Sequence, residues 1–388
     1  MAEEATAIRR LYVHVPFCPS ICPWCNFHVT LRRDDGVEDF LRRLDEELAD
    51  ASQRTAFALD SLYLGGGTPS GLRIDELERL LASVRRHTGW CPGDDAEVTL
   101  EVHPSTADPD AASAWAGLGV NRFSIGAQSF DDSVLGWLER PHDATRARLA
   151  VECCVEVAEA RVPSGVVAVD IMGALAGQRL ADDLTVAVDS GARHVSMYVL
   201  TIEERTAWAR RAMRVDDDDA AQAIDVASSV LGGRGFERYE VSNHARPDSR
   251  CRHNLGYWRH EPFLGVGPGA ASLRVEAPRS PGGPPSVSRV HNPTLRAWLA
   301  GDEPEVAEVV GADLVTDVVL CGLRVREGLR WGEVMERTGA PLPSVVVAAA
   351  CSAARAGLLE VDELGFRATV AGFARLDSVV ASLCEHLQ

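Results

Sequence analysis

From the N-terminus to about residue 200, short runs of β-branched and apolar residues alternate with longer segments in which apolar positions recur every three or four residues. The short runs predict strands at Leu11 to Val15, Ser61 to Leu64, Glu97 to Val102, Arg122 to Ile125, Val166 to Met172 and His194 to Val199. The longer segments predict helices over Glu38 to Ala51, Ile74 to His87, Ala144 to Ala158 and Leu180 to Ser190. Six βα units in succession predict an α/β fold with a parallel sheet, wound open or curled as a partial barrel. Chemistry in such folds gathers at the C-terminal ends of the strands. The unusual residues fall there: Cys18 to Cys25 after the first strand, Gly65 to Ser70 after the second, Glu101 to Pro104 at the end of the third, and Gln128 after the fourth. Asp170 sits within the fifth, and one shared site accounts for all of them.

Beyond residue 200 the pattern changes. An acidic run, Val215 to Asp225, precedes a stretch rich in His, Arg, Gly and aromatics, residues 239 to 272, which reads as loops crossing a site. Glu276 to Ser288 carries the Pro and Gly of a flexible loop. From about Val309 the helical pattern returns and ends in helix, short two-stranded wing, helix. The expected division is a barrel over 8–235, an extension closing the site over 236–300, and a winged-helix-like domain over 305–388.

Composition narrows the chemistry. With 46% hydrophobic and 25% charged residues in a chain of 388, this is ordinary globular material. A formal charge of −18 repels phosphate backbones and anionic lipid, so no nucleic-acid partner is expected. All 39 basic residues are arginine, which excludes a lysine Schiff base or lysine general base. No apolar run of membrane-spanning length occurs, and the N-terminal residues lack a secretory core, so the expectation is a cytoplasmic protein with no membrane span. Its ten cysteines are then read as thiols and metal ligands rather than disulfides.

"FCPSICPWCNF" sets Cys18, Cys22 and Cys25 at spacings of four and three. Three thiolates so placed suit zinc, with His14 or His28 as a fourth ligand, or an iron-sulfur cluster. Pro19 and Pro23 break a helix and favour a loop around something larger than one ion. A cubane on three cysteines leaves one iron without a protein ligand. "YLGGGTPS" adds three glycines at a strand end, where backbone can approach a small ligand. Asp170 in "VVAVDIMG" and Glu101 in "VTLEVHP" place carboxylates inside apolar strands, which is costly unless they are used.

These motifs, with "GVNRFSIGAQSFDDSVLGWLERPHD" and "YEVSNHA…CRHNLGYW…LGVGPGAAS", closely resemble the radical S-adenosylmethionine proteins related to oxygen-independent coproporphyrinogen III oxidase, over nearly the whole chain. The resemblance implies a partial (β/α)6 barrel with a C-terminal winged-helix-like domain. It implies a [4Fe-4S] cluster on Cys18, Cys22 and Cys25, whose open iron binds the amino and carboxylate groups of S-adenosylmethionine. It places Tyr12 and the backbone near Trp24 against that cofactor, and Gly66, Gly67 and Thr68 at its amine. Glu101, Gln128, Arg140 and Asp170 match positions for its polar groups, and Thr201 matches on the adenosine side. The implied chemistry is reductive cleavage to methionine and a 5'-deoxyadenosyl radical, with electrons from a reductant such as a flavodoxin or ferredoxin.

The substrate side departs from the haem chaperones of this group. "NFHVT" follows the last cysteine, His103-Pro104 stands for their Asn-Pro, and "AGQR" (176–179) and "EERT" (203–206) replace two further motifs. These departures point to a kept cofactor and a changed substrate, and the resemblance, which extends to class C radical methylases, then implies methylation or cyclopropanation of an aromatic or conjugated carbon, in a small molecule or peptide, with two S-adenosylmethionine molecules. "HNLGYW" points instead to the haem-binding chaperones, with His253 as an iron ligand and Tyr257 and Trp258 beside haem. Coproporphyrinogen oxidation ranks last, because Phe27 stands where those oxidases often carry a fourth cysteine.

Overall fold

The computed structural model describes residues 7–91, 95–162, 164–175, 177–211, 213–276, 285–385 and 387. Strands β1 (Ile8–Val15), β2 (Phe57–Gly66), β3 (Glu97–Val102), β4 (Arg122–Gln128), β5 (Val166–Gly173) and β6 (His194–Val199) lie side by side in chain order, each parallel to the next. Helices α1 (Asp34–Arg54), α2 (Ile74–Thr88), α3 (Pro109–Gly117), α4 (Asp132–Trp137), α5 (Ala144–Arg161) and α6 (Leu180–Asp189) fill the crossovers. This is the α/β arrangement that the alternating pattern predicts. The strands and helices run up to four residues further at either end than the apolar runs alone mark.

Successive residues of a strand face opposite sides of the sheet, and here the two sides differ sharply. Leu11, Val13 and Val15 of β1, Leu62 and Leu64 of β2, Val98 and Leu100 of β3, and their counterparts on β4 to β6 share one buried core with Phe40, Leu44, Leu77 and Leu80 of the helices. The alternate row, Tyr12 and His14, Tyr63, Glu101, Ser124, Asp170 and Ser196, faces the barrel interior and is polar. That polar row holds itself together: Tyr63 OH donates to Glu101 at 3.0 Å, and Ser124 Oγ lies 3.4 Å from both oxygens of Asp170.

The stretch expected to be loops, residues 239 to 272, is largely regular. Asn243–Ala245 pairs antiparallel with β6, and Leu264–Val266 pairs parallel with β1, so it extends both edges of the sheet. Between them runs a seven-residue helix, Arg252–Trp258, too short to show helical periodicity. Its first turn sits at the N-terminal end of β3, where the backbone N–H groups of Arg252 and His253 donate to Glu97. The helix of this extension therefore stops the bottom of the barrel, while Gly267 and Gly269 beyond its last strand pack against His14 and His28 near the other end. Likewise the acidic run opens a helix, Asp217–Gly233, with the Asp216 side chain accepting from the Asp218 N–H as its cap.

The C-terminal part begins with an antiparallel sheet of Ala271–Glu276, Ser286–His291 and Glu305–Val309. Ser286 to Ser288, expected in a flexible loop, begin its middle strand, and residues 277–284 lie outside those described. Helices Gly311–Leu323, Trp331–Thr338, Ser344–Arg355 and Leu376–Cys384 follow, with the wing formed by Leu359–Val361 and Gly365–Ala368. Leu273 and Val287 share an apolar core with Val318, Val346 and Phe366 of this part. The sequence boundary near residue 300 thus cuts through one core.

Candidate functional site

At the C-terminal ends of the six strands lies a cavity of about 440 Å³. Its wall includes Cys18, Cys22, Cys25 and Trp24 from the loop after β1, Gly66, Gly67 and Thr68 after β2, Glu101 from β3, Gln128 from β4, Arg140, Asp170 from β5, and Thr201 after β6. Residues dispersed over more than 180 positions thus meet at one place. Tyr12 is the one expected cofactor contact outside the wall; its hydroxyl meets His14 Nδ1 at 3.1 Å and its ring packs toward Tyr63.

Each side chain is held by local structure. Thr68 Oγ1 donates to Cys18 Sγ at 3.7 Å, and Arg140 Nη1 donates to Cys22 Sγ at 3.0 Å. Arg140 Nη2 also binds the Gly126 carbonyl at 3.1 Å, while its Nε is buried without a partner. Gln128 adopts a left-handed backbone, φ 69°, rare for a residue with a side chain. The turn that forces it is pinned from below: Asp183 of α6 accepts from Ser129 Oγ, the Phe130 N–H and Gln178 Nε2. Strain of this kind persists where the surroundings over-determine it.

The glycines have a different reason from the one their sequence suggests. Gly66 has φ 107°, and a Cβ there would fall 2.5 Å from the His14 ring; at Gly67 it would fall 2.8 Å from the Phe17 carbonyl oxygen. They are small because the end of β2 is packed against the end of β1, which leaves their polar backbone on the cavity wall.

Burial dominates the electrostatics. It raises Glu101 to about 7, aided by the Asp170 charge and opposed by donation from the Gly66 N–H and Tyr63 OH. It raises Asp170 to about 6, opposed by Ser196, Ser124 and Arg122. It pushes the Cys18 thiol up to about 11 and raises Cys25 as well. Thiols so placed keep their protons until a metal displaces them.

The donor set fits a group larger than one ion. Among the described residues, no three His, Cys, Asp or Glu converge on a single-ion position, yet three thiols share this cavity. His14, an imagined fourth zinc ligand, is engaged at both nitrogens by Tyr12 OH and the His28 carbonyl.

The three residues read as haem neighbours lie elsewhere. His253 is 1% exposed; its Nδ1 meets Ser61 Oγ at 2.8 Å and its Nε2 meets Tyr257 OH at 2.7 Å. Trp258 Nε1 donates to Glu240 at 2.8 Å. All three brace the barrel bottom. Of the departing motifs, Asn26, Phe27, Val29, His103 and Glu203 line the cavity. Gln178 turns away to the Met172 carbonyl and Asp183, and Ala176 lies outside the described residues. Sequence reading missed Ser124 and Tyr198 on the wall, although both share the inward parity of Asp170 through the pairings Ser124–Ala168 and Asp170–Ser196. It also missed the apolar rim, where Ile21 and Phe27 are 50% and 68% exposed.

Comparison with known proteins agrees with this geometry. The radical SAM superfamily matches residues 12–175. The haem chaperone HemW of Synechocystis sp. is 32% identical over 338 residues, 83% of this chain and 79% of the relative. HemW of Mycobacterium tuberculosis is 36% identical over 339 residues, 82% of each. The mitochondrial radical S-adenosyl methionine domain-containing protein 1 of Mus musculus is 32% identical over 417 residues, 100% of this chain and 89% of the relative. The solved structure of coproporphyrinogen III oxidase (HemN) from Escherichia coli, a radical SAM enzyme, superimposes with a TM-score of 0.79 at 20% identity, covering 99% of this chain and 92% of that one. That last likeness is one of fold.

Proposed function

The chain belongs to the HemN/HemW-like family of radical S-adenosylmethionine proteins, and from that premise we propose that it is a haem-binding chaperone which carries a [4Fe-4S] cluster and S-adenosylmethionine in the strand-end cavity. Membership of the family implies the cluster and S-adenosylmethionine. The observation that carries the haem reading is the 36% identity over 82% of both chains to a relative named haem chaperone.

Cys18, Cys22 and Cys25 would supply the cluster's thiolates, with Thr68 and Arg140 donating to two of the sulfurs. When reduced, the cluster supplies the electron that breaks a carbon-sulfur bond of the sulfonium. The backbone at Gly66, Gly67 and Thr68 would serve the amine end of S-adenosylmethionine, and Arg140 would suit its carboxylate; all four line the cavity. Glu101 and Asp170 would hold its cationic or hydroxyl groups, giving up their protons as they do so. Trp24, Gln128 and Thr201 complete the wall. Ile21 and Phe27 offer a flat, conjugated macrocycle an apolar surface at the mouth.

Methylation is the second reading, favoured by His103 and Glu203 on the wall where the sequence departs from the chaperones. The test is anaerobic reconstitution of the full chain, with haem and S-adenosylmethionine added. The haem reading expects a stoichiometric shift of the haem Soret band and transfer of haem to an apo-acceptor such as apomyoglobin. Accumulation of S-adenosylhomocysteine, without stable haem binding, would establish methylation instead.

His253 gives a separate expected outcome. With both ring nitrogens engaged and burial lowering it to about 3, it is a neutral brace with no face open to iron. His253→Ala should destabilise the fold by about 1–3 kcal/mol for the stranded Ser61 and Tyr257 hydroxyls, seen as a lower melting temperature, and leave the haem spectrum unchanged. A lost Soret shift in a variant that still melts cooperatively would return His253 to the haem site.

A further inference from the structure

One group on the cavity wall has no part in the haem-chaperone reading above. His103 follows β3 directly and is 9% exposed. One of its two ring nitrogens is engaged. Its backbone N–H donates to Ser70 Oγ at 3.0 Å, which ties it to the glycine loop. Its Nδ1 accepts from the Ser105 backbone N–H at 3.2 Å and lies 2.7 Å from Ser105 Oγ. Its ring packs edge-on against His142, 5.1 Å between centroids, and His142 Nε2 is held by the Ala127 carbonyl at 3.1 Å.

An Nδ1 that accepts from a backbone amide has no proton of its own. A neutral ring then carries its proton on Nε2. Burial and the Arg140 charge lower His103 to about 3, so the ring stays neutral in any ordinary buffer. The one unengaged atom is thus an N–H donor on a ring that cannot turn, on the wall that also carries Arg140. Arg140 has a buried Nε without a partner. Two donors on one wall call for an acceptor, and two of the wall's carboxylates, Glu101 and Asp170, are already engaged by Tyr63, Gly66 and Ser124.

We infer that His103 is a ligand-binding residue whose Nε2–H, together with Arg140, holds the carboxylate of an amino-acid ligand in the cavity. This rests on the cofactor reading above, in which that carboxylate belongs to the methionine part of S-adenosylmethionine. The clamp makes the pocket selective for a zwitterionic amino-acid end over a simple amine, because an amine leaves both donors stranded.

The test is binding, not turnover. Cluster-loaded full-length wild type, His103→Phe and His103→Gln are titrated anaerobically by calorimetry with S-adenosylmethionine and with its decarboxylated analogue. Phenylalanine keeps the ring packing and removes the donor; glutamine restores an N–H. The phenylalanine variant should bind S-adenosylmethionine about tenfold more weakly, the loss of one charge-assisted hydrogen bond. It should bind the decarboxylated analogue as wild type does, and glutamine should recover part of the difference. Equal weakening for both ligands, or none for either, overturns the clamp while leaving the cofactor reading standing. A wild type that loads iron and binds neither ligand overturns the cofactor reading and the clamp with it. Melting temperatures of the three proteins separate lost binding from lost folding.

Discussion

Alanine at Cys18, Cys22 and Cys25 together should reduce reconstituted iron from about four per chain to background and abolish the cluster's broad visible absorbance, with the fold retained. The three thiols are unequal in what else they do. Cys22 and Cys25 are half-buried in a loop whose backbone is closed by Cys25 N–H donating to the Cys22 carbonyl, so their side chains carry little packing. Cys18 is buried, accepts from Thr68, and sits where Phe17–Cys18 pairs with Thr30–Leu31. Its removal alone should therefore cost some stability as well as iron, removal of Cys22 should cost iron and the Arg140 hydrogen bond, and removal of Cys25 should cost iron only. Cys351 is the matched control: half-buried in helix Ser344–Arg355, it is far along the chain from the cavity wall, and its alanine variant should load iron as wild type does. Iron determination with circular dichroism on the same samples decides the matter. A triple variant with full iron would mean that the metal is held by other thiols.

Why these positions were readable from the chain alone is a matter of parity and punctuation. The six barrel strands announce themselves because their outward rows are apolar and β-branched, and the site announces itself because Cys, Gly, Glu, Gln and Asp follow those rows at the strand ends. What the pattern hides is anything whose meaning depends on which elements meet. His253 looked like a ligand because "HNLGYW" resembles a pattern of the haem-chaperone branch, although a histidine among loops is more often a hydrogen-bonding residue. In the fold the same residues form a short helix under the barrel, where Ser61 of β2 and Glu97 of β3, 192 and 156 positions away, engage the His253 ring and backbone. The three glycines suggested ligand approach, and the neighbour they make room for at Gly66 is the His14 ring of β1. His103 read as a mere departure at the mouth. Its locked ring appears only once Ser70, Ser105 and His142 come together around it.

Glu101→Gln with Asp170→Asn should make the ligand-free protein more stable and its hold on a cationic ligand weaker. Both carboxyls are raised in the folded chain, Glu101 from 4.5 to about 7 and Asp170 from 3.8 to about 6, chiefly by burial. A group that binds its proton more tightly folded than unfolded costs stability as pH rises from its unfolded value to its folded one. That cost is absent below about pH 4 and complete above about pH 7. Neutral amides remove it, so the double variant should melt a few degrees above wild type at pH 8, and the difference should shrink toward pH 4.5. Binding runs the other way. A sulfonium or ammonium beside these groups favours their ionised forms, so wild type should bind S-adenosylmethionine more tightly as pH rises from 6 to 8 and release protons as it does so. The variant should bind at least about tenfold more weakly, with little dependence on pH. Calorimetry in two buffers of different ionisation enthalpy counts the protons released. A double variant that melts below wild type at pH 8 would show that the two carboxylates hold the barrel together. A stabilised variant that binds as before would show that the ligand's positive end lies elsewhere on the wall. Stability gained and binding lost in the same protein is the signature of charges kept in a poor place for the sake of what they hold.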